Sequence, residues 1–227
     1  MLQQTQVDRV IPFYKSFIKK YPTAKKLAAA PLPEVLKSWQ GLGYNRRAKQ
    51  LRAAAQALAT KKPCTVPELE SLAGVGPYTA RAVAAFAFNE DVVVIETNIR
   101  TAVIHHFFPK RKKVSDVEIG EILQAALPKG RVPRRQGSAG QAREWYSALM
   151  DYGAHLKRSG VSHNAKSKTY TKQSKFTGSL REARGAILRE YTKGITSRVK
   201  LTGLLGPSRK AQMKTALEAL IKEGLVI

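Results

Sequence analysis

Apolar residues recur at helical spacing along almost the whole chain. Val7, Val10, Ile11, Tyr14, Phe17 and Ile18 fall on one side of a helix that ends at Tyr21-Pro22, because a proline disfavours helical backbone in the residue before it. Pro33, Leu36 and Trp39 predict a short helix closed by Gly41-Leu42-Gly43, and Ala48, Leu51, Ala55 and Leu58 mark the next. Residues 67–72 read as a brief helix that stops at Gly74-Val75-Gly76, after which Pro77 restarts an alanine-rich helix running to Phe88. A further apolar helix spans Asn98 to Phe108. Ser115-Asp116-Val117-Glu118 has the spacing of a capping box opening a helix that carries Ile119, Ile122, Leu123 and Ala126. Trp145, Leu149 and Tyr152 share another helical face. Ala183, Ile187, Leu188 and Tyr191, then Met213, Leu217, Leu220 and Ile221, predict terminal helices before a β-prone Leu225-Val226-Ile227. The fold expected is all-α, with residues 180–227 as a small helix-turn-helix or winged-helix-like appendage.

Two stretches break the pattern. Residues 128–143 hold five basic residues, two prolines, three glycines and no acid, which predicts a mobile basic loop. From 156 to 181 the chain is polar and again acid-free, with Lys157, Arg158, Lys166, Lys168, Lys172, Lys175 and Arg181. The expected division is a main domain over 1–156, a basic linker over 157–179 and the appendage over 180–227. Forty Lys and Arg against sixteen Asp and Glu leave a formal charge of +24, far beyond what solubility requires, so a polyanionic partner is expected, nucleic acid first. One cysteine, Cys64, excludes a disulfide within the chain and a four-thiolate metal or iron–sulfur site. No stretch approaches the roughly 18 apolar residues that span a bilayer, and the opening residues are not a secretory leader. A cytoplasmic setting is expected, nucleoid-associated in a prokaryote.

The segment Leu72-Ala73-Gly74-Val75-Gly76-Pro77-Tyr78-Thr79-Ala80 combines a two-glycine turn with the start of a helix. Glycines let the backbone turn tightly while the helix aims free N–H groups outward, an arrangement that holds a phosphate oxygen. An ordinary link between two packed helices has the same pattern.

The hairpin, with a carboxylate about twenty residues on in Val94-Ile95-Glu96-Thr97-Asn98-Ile99-Arg100, resembles the helix-hairpin-helix DNA glycosylase superfamily. Within it the chain is most similar to the adenine DNA glycosylases of the MutY type. Met1-Leu2-Gln3-Gln4-Thr5-Gln6-Val7 resembles their Met-Leu-Gln-Gln-Thr-x-Val, and Trp39-Gln40-Gly41-Leu42-Gly43-Tyr44-Asn45-Arg46-Arg47-Ala48 their Trp-x-Gly-Leu-Gly-Tyr-Tyr-x-Arg-Ala. Met150-Asp151-Tyr152-Gly153-Ala154 resembles their Met-Asp-Leu-Gly-Ala.

The resemblance implies a monofunctional glycosylase that removes adenine paired with 8-oxoguanine or guanine and so initiates base excision repair, acting as a monomer on duplex DNA. Breaking an N-glycosidic bond develops positive charge on the sugar and negative charge on the departing base. Glu96 is then the anion beside the sugar; the family usually has Asp-Gly-Asn where this chain has Glu96-Thr97-Asn98, an arm longer by one methylene. Asn98 is implied to hold the carboxylate or the backbone of the flipped nucleotide. Tyr78 stands where strand-cleaving relatives of the endonuclease III type have a lysine, and a phenol forms no imine; it is placed near the extruded base or packed against its helix. Gln3, Gln4 and Tyr44 match residues that enter the duplex and offset the cost of base flipping. Gly74, Val75, Gly76 and Thr79 of the hairpin, with Arg46, Arg47 and Lys49, are candidate phosphate contacts.

The chain also departs from the pattern. The family's general acid is a glutamate two positions before the methionine of Met-Leu-Gln-Gln, a place upstream of Met1. A translation start further upstream is expected; the alternative is a catalytically inactive, glycosylase-like DNA-binding protein. The family's iron–sulfur cysteines are absent after Ala154, so no cofactor is expected, and no Nudix-like domain is expected after residue 180. A basic segment over 157–179 either replaces the DNA-facing surface of the cluster loop or is a solvated linker.

Overall fold

The computed structural model describes residues 1–2, 5–60, 63, 65–128, 141–171 and 175–227. Among them the regular backbone is helical: α1 (Val7–Lys20), α2 (Ala24–Ala29), α3 (Leu32–Trp39), α4 (Arg46–Leu58), α5 (Val66–Glu70), α6 (Pro77–Ala87), α7 (Thr97–Phe107), α8 (Asp116–Ala126), α9 (Gln141–Arg158), α10 (Leu180–Tyr191), α11 (Arg198–Gly203) and α12 (Lys210–Lys222). A single isolated parallel bridge joins Val114 and Ser167. No helix among these residues is long and apolar enough to cross a membrane. Gln3, Gln4 and most of the basic loop expected over 128–143 lie outside the described residues.

Local chemistry starts several of these helices, at Ser115 where the sequence predicts it and at four further caps, one of them on α2, which the apolar spacing does not mark. The Thr65 and Ser115 hydroxyls each accept an N–H three residues on, from Glu68 and Glu118, whose carboxylates return to the cap backbone. Each such box satisfies donors that a helix start leaves open. Thr23, Ser179 and Ser197 cap α2, α10 and α11 with a single side-chain bond.

The chain divides into two compact units, one of Met1–Pro63, Leu72–Gly74 and Gln173–Ile227, the other of Cys64–Ser71 and Val75–Lys172. In the first, Val10, Phe17, Leu27, Leu36, Trp39 and Ala48 share one core with Ile187, Leu201, Met213, Leu217, Leu220 and Val226. Residues 180–227 therefore bury their apolar faces against the N-terminal helices. Paired hydrogen bonds of 3.0 and 2.7 Å tie Arg184 on α10 to Glu223 beyond α12. Leu225 and Val226 are buried there without strand pairing. The apolar side expected for α1 divides: Val10 and Phe17 enter the core, while Val7, Ile11, Tyr14 and Ile18 are exposed. The two sets are centred about 80° apart around the helix axis, and the packing within this unit covers only one of them.

In the second unit, Val94, Ile99, Val103 and Ile104 pack with Ile119, Leu123, Ala142 and Tyr146. The expected end of the main domain at 156 falls within α9, which continues through Lys157 to Arg158. Beyond α9 the chain turns back along α7. Val114 N–H donates to Lys166 O at 2.9 Å and Lys168 N–H to Val114 O at 3.0 Å. Thr101 Oγ1 lies 3.3 Å from Asn164 Oδ1, and Lys166 Nζ reaches Pro109 O at 2.8 Å. Polar bonds along residues 163–168 thus fix a segment whose composition lacks the apolar spacing of a core element.

Candidate active site

Glu96 is the N-cap of α7. Residues 91–96 leading into it belong to neither helix nor strand, and the buried Tyr146 of α9 holds them: its hydroxyl accepts from Val94 N–H at 3.0 Å and donates to Val92 O at 2.9 Å. Those bonds satisfy two backbone groups that neither a helix nor a sheet would otherwise pair. At the end of this segment the Glu96 carboxylate accepts the Asn98 N–H at 2.6 Å and the Thr97 hydroxyl. An anion at a helix N-terminus is favoured both by the open N–H groups and by the dipole.

Charged and polar groups gather around this carboxylate. Lys157 Nζ donates to Asn98 Oδ1 at 2.6 Å. Arg100, one turn further along α7, makes paired bonds of 3.0 and 2.9 Å to Asp116. Partial burial pushes the Tyr78 phenol above its ordinary value, and the nearby charge of Glu96 adds to the shift, so Tyr78 keeps its proton at neutral pH. Burial lowers the Lys157 ammonium; Glu96 acts in the opposite direction and Arg100 in the same one. Glu96 and Asn98 are thus in direct contact, and Tyr78 lies near enough to Glu96 to feel its charge. Lys157, expected in a linker, joins them.

In the hairpin, Gly74 has φ +76°, and a Cβ there would meet the Gln50 side chain at 2.6 Å, so both conformation and space require glycine. Gly76 is extended and caps α6, with Pro77 in the first turn. The exposed start of α6 is flanked by Val75 and Thr79, both half-buried. Backbone N–H groups at such an exposed helix start are available to an anion.

Tyr44 follows a turn in which Gly41, Gly43 and Tyr44 have φ of +93°, +70° and +46°. Trp39 Nε1 donates to Gly43 O at 3.1 Å, and the Arg47 guanidinium donates to the carbonyls of Met1, Leu42 and Gly43 at 3.3 Å each. Arg47 also lies 5.5 Å from the ring centres of both Trp39 and Tyr44. Arg181 of α10 donates to the Tyr44 hydroxyl at 3.2 Å. The structure thus gives Arg47 a scaffolding place within the turn and Lys49 a bond to Glu223 O, whereas Arg46 is exposed.

Sequence reasoning did not single out Tyr146, Gly153, Lys157 or Arg181 for these sites. The Met150–Ala154 motif was the available signal for Gly153; the other three act across the fold and carry no local signature. Among the described residues no group of three or more His, Cys, Asp or Glu could hold a metal ion. The single cysteine of residues 1–227 cannot supply the four thiolates of an iron–sulfur cluster, so these residues do not fit one.

The profile described as "HhH-GPD superfamily base excision DNA repair protein" matches residues 1–129. The chain is 33% identical over 249 residues to the adenine DNA glycosylase of Mycolicibacterium smegmatis, covering 100% of this chain and 81% of that protein. The adenine DNA glycosylase of Mycobacterium tuberculosis is 43% identical over 107 residues, covering 45% of this chain and 35% of that one. The human adenine DNA glycosylase is 42% identical over 104 residues, covering 44% of this chain and 19% of its own length. Among solved structures, a thermostable thymine-DNA glycosylase superposes with a TM-score of 0.53 at 24% identity, over 67% of this chain and 69% of that one. A trapped endonuclease III–DNA covalent intermediate gives 0.52 at 23%, over 69% and 68%. At these identities the structural likeness is one of fold, and it agrees with the all-helical architecture. Profile and sequence relatives together make the chain a member of the HhH-GPD superfamily of base excision DNA repair proteins and a homologue of the adenine DNA glycosylases.

Proposed function

We propose that this protein is a monofunctional DNA N-glycosylase that removes adenine paired with 8-oxoguanine or guanine and leaves an abasic site. The observation that carries the reading is the Glu96 carboxylate, held at the start of α7 by the Asn98 N–H inside the segment that matches the superfamily.

As the bond between C1′ and the adenine ring lengthens, positive charge grows on the sugar. A carboxylate already oriented by hydrogen bonds stabilises that charge without reorganising during the reaction. Tyr78, protonated beside Glu96, offers an O–H donor to the flipped nucleotide and no amine to its C1′, which confines the reaction to hydrolysis. Tyr44 supplies the planar side chain that replaces lost stacking when the base leaves the duplex. Arg46 and the exposed start of α6 engage phosphates.

The test is incubation of the protein with duplexes carrying adenine opposite 8-oxoguanine, guanine or thymine, reading free adenine by chromatography and strand breaks by gel. Adenine release from the first two, with breaks only after alkali, supports the proposal. Binding without release favours the inactive DNA-binding alternative. Breaks without alkali, with an imine trapped by borohydride, would overturn the role given to Tyr78.

A further inference from the structure

We infer that Lys157 is a positioning residue for base excision: it fixes the orientation of the Asn98 carboxamide beside Glu96. This rests on the function proposed above.

The case begins with backbone packing. Gly153 on α9 lies so close to α7 that a Cβ there would stand 2.1 Å from Asn98 O and 2.5 Å from its carbonyl carbon. Any other residue would push the two helices apart. Lys157 lies four residues on, one turn along the same face of α9. The contact that requires glycine at 153 therefore aims residue 157 at the same residue, Asn98, whose side chain it meets at 2.6 Å. One residue of α7 is gripped twice by α9, through its backbone and through its carboxamide.

The chemistry of the pair settles which way the carboxamide faces. An ammonium group donates and cannot accept, so the Asn98 atom facing Lys157 is the oxygen. The two amide N–H donors are consequently turned from Lys157 and offered to the sugar–phosphate of a flipped deoxynucleotide beside Glu96. With an apolar residue at 157, either end of the carboxamide could take that place. A half-buried asparagine that alternates between donor and acceptor spends part of its time in the wrong polarity for an anionic backbone oxygen. Lys157 also places a positive charge near Glu96, whose carboxylate acts to raise the lysine's proton affinity.

The experiment compares the wild type, Lys157→Met, Lys157→Arg, Asn98→Ala and the Asn98→Ala/Lys157→Met double variant. Single-turnover adenine release from an adenine:8-oxoguanine duplex is read beside the Kd for the same duplex carrying a non-hydrolysable 2′-fluoro-deoxyadenosine. Lys157→Met should slow release by about ten- to a hundredfold, the scale of a misplaced reacting group, while Kd changes by less than about threefold, the effect of one lost phosphate-distant charge. Lys157→Arg should recover most of the rate. The double variant should be no slower than Asn98→Ala alone, because residues that act through one another are not additive. An unchanged rate in Lys157→Met, or losses that multiply in the double variant, would overturn the inference.

Side-chain amide NMR gives a readout independent of turnover. The Asn98 NH₂ pair, assigned by its loss in Asn98→Ala, should shift or broaden in Lys157→Met and return in Lys157→Arg; an unmoved pair refutes the contact. If the wild type releases no adenine, the proposed function fails, and the NMR comparison still decides the Lys157–Asn98 relation. Should Lys157→Met not fold, Lys157→Leu serves in every arm.

Discussion

The Tyr44 turn and the Glu96 site, the two regions proposed to meet DNA, take their geometry from different distances along the chain. Around Tyr44, many of the shaping groups are neighbours: Gly41 and Gly43 turn the backbone, Trp39 bonds Gly43, and Arg47 bridges Leu42 and Gly43. Distant members add to them: Thr5 bonds Leu42 O, Arg9 bonds Gly41 O and Arg181 bonds the Tyr44 hydroxyl. Around Glu96, only Thr97 and Asn98 are local. Tyr146, Gly153 and Lys157 come from α9, at least fifty residues further on. A locally built turn keeps its shape when distant packing is disturbed; a carboxylate held by a second helix does not. Substitutions that leave Glu96 itself untouched should therefore affect excision through α9, whereas the Tyr44 turn should respond mainly to changes within it.

The sharpest break in the comparison is Glu96→Gln, which keeps the shape and removes the charge. It should lower single-turnover adenine release by about a thousandfold or more, as expected for loss of an electrostatic stabiliser of the transition state, while duplex affinity is largely retained. Unchanged release would take Glu96 out of the chemistry and leave it as a helix cap.

Gly153→Ala tests the dependence on α9. The added Cβ meets Asn98 backbone at 2.1 Å, and backbone cannot yield as a side-chain end does. The expected cost is about 3 kcal/mol, at the upper end for overpacking, seen as a lowered unfolding midpoint in urea together with slower excision. A midpoint equal to the wild type would show that α7 and α9 separate freely.

Tyr44→Gly makes the corresponding test of the local turn, with a smaller effect on stability. Relief of a left-handed tyrosine gains about 1 kcal/mol. Loss of the contacts with Arg47 and Arg181 and the greater freedom of an unfolded glycine cost about the same. Stability should change by less than about 1 kcal/mol, while affinity for a mispaired duplex falls about tenfold or more, the value of one lost stacking platform. A large drop in stability with intact affinity would make Tyr44 a core residue instead of a DNA contact.

The smallest effect concerns the cap of α8. Hydrogen bonds from the Ser115 backbone and hydroxyl, with Arg111 nearby, hold the Glu118 carboxyl at about 2 against an ordinary 4.5. A depressed carboxylate contributes stability that is fully present above its unfolded value and fades as pH falls toward its folded one. Thermal midpoints of the wild type should thus decline more steeply than those of Glu118→Gln between about pH 4.5 and 2. Parallel declines would mean that the capping box contributes nothing through its charge.

Much of the fold is legible in the residues because it is local chemistry. Ser115 and Glu118 mark the start of α8 from their spacing alone, Gly74 marks the hairpin, and the pattern around Glu96 places it at the start of α7. The apolar face of α1 is less readable: six residues qualify by spacing, and the packing of its unit uses only Val10 and Phe17 from that set. The segment after α9 is harder still, since the bonds of Asn164, Lys166 and Lys168 are to polar backbone and side-chain groups that composition does not reveal.

From its residues alone this protein is a basic, all-helical chain with one cysteine, a two-glycine hairpin and a carboxylate set at a helix start, because charge, turn geometry and capping depend on side chains and their near neighbours. Tertiary structure decided which half of the α1 face is buried, drew residues 180–227 into the core of the N-terminal helices, and brought Lys157 from a basic run to the side of Asn98 and Glu96. Those outcomes depend on which surfaces meet when the chain packs, and packing is set by shape across the whole unit rather than by any short stretch of sequence.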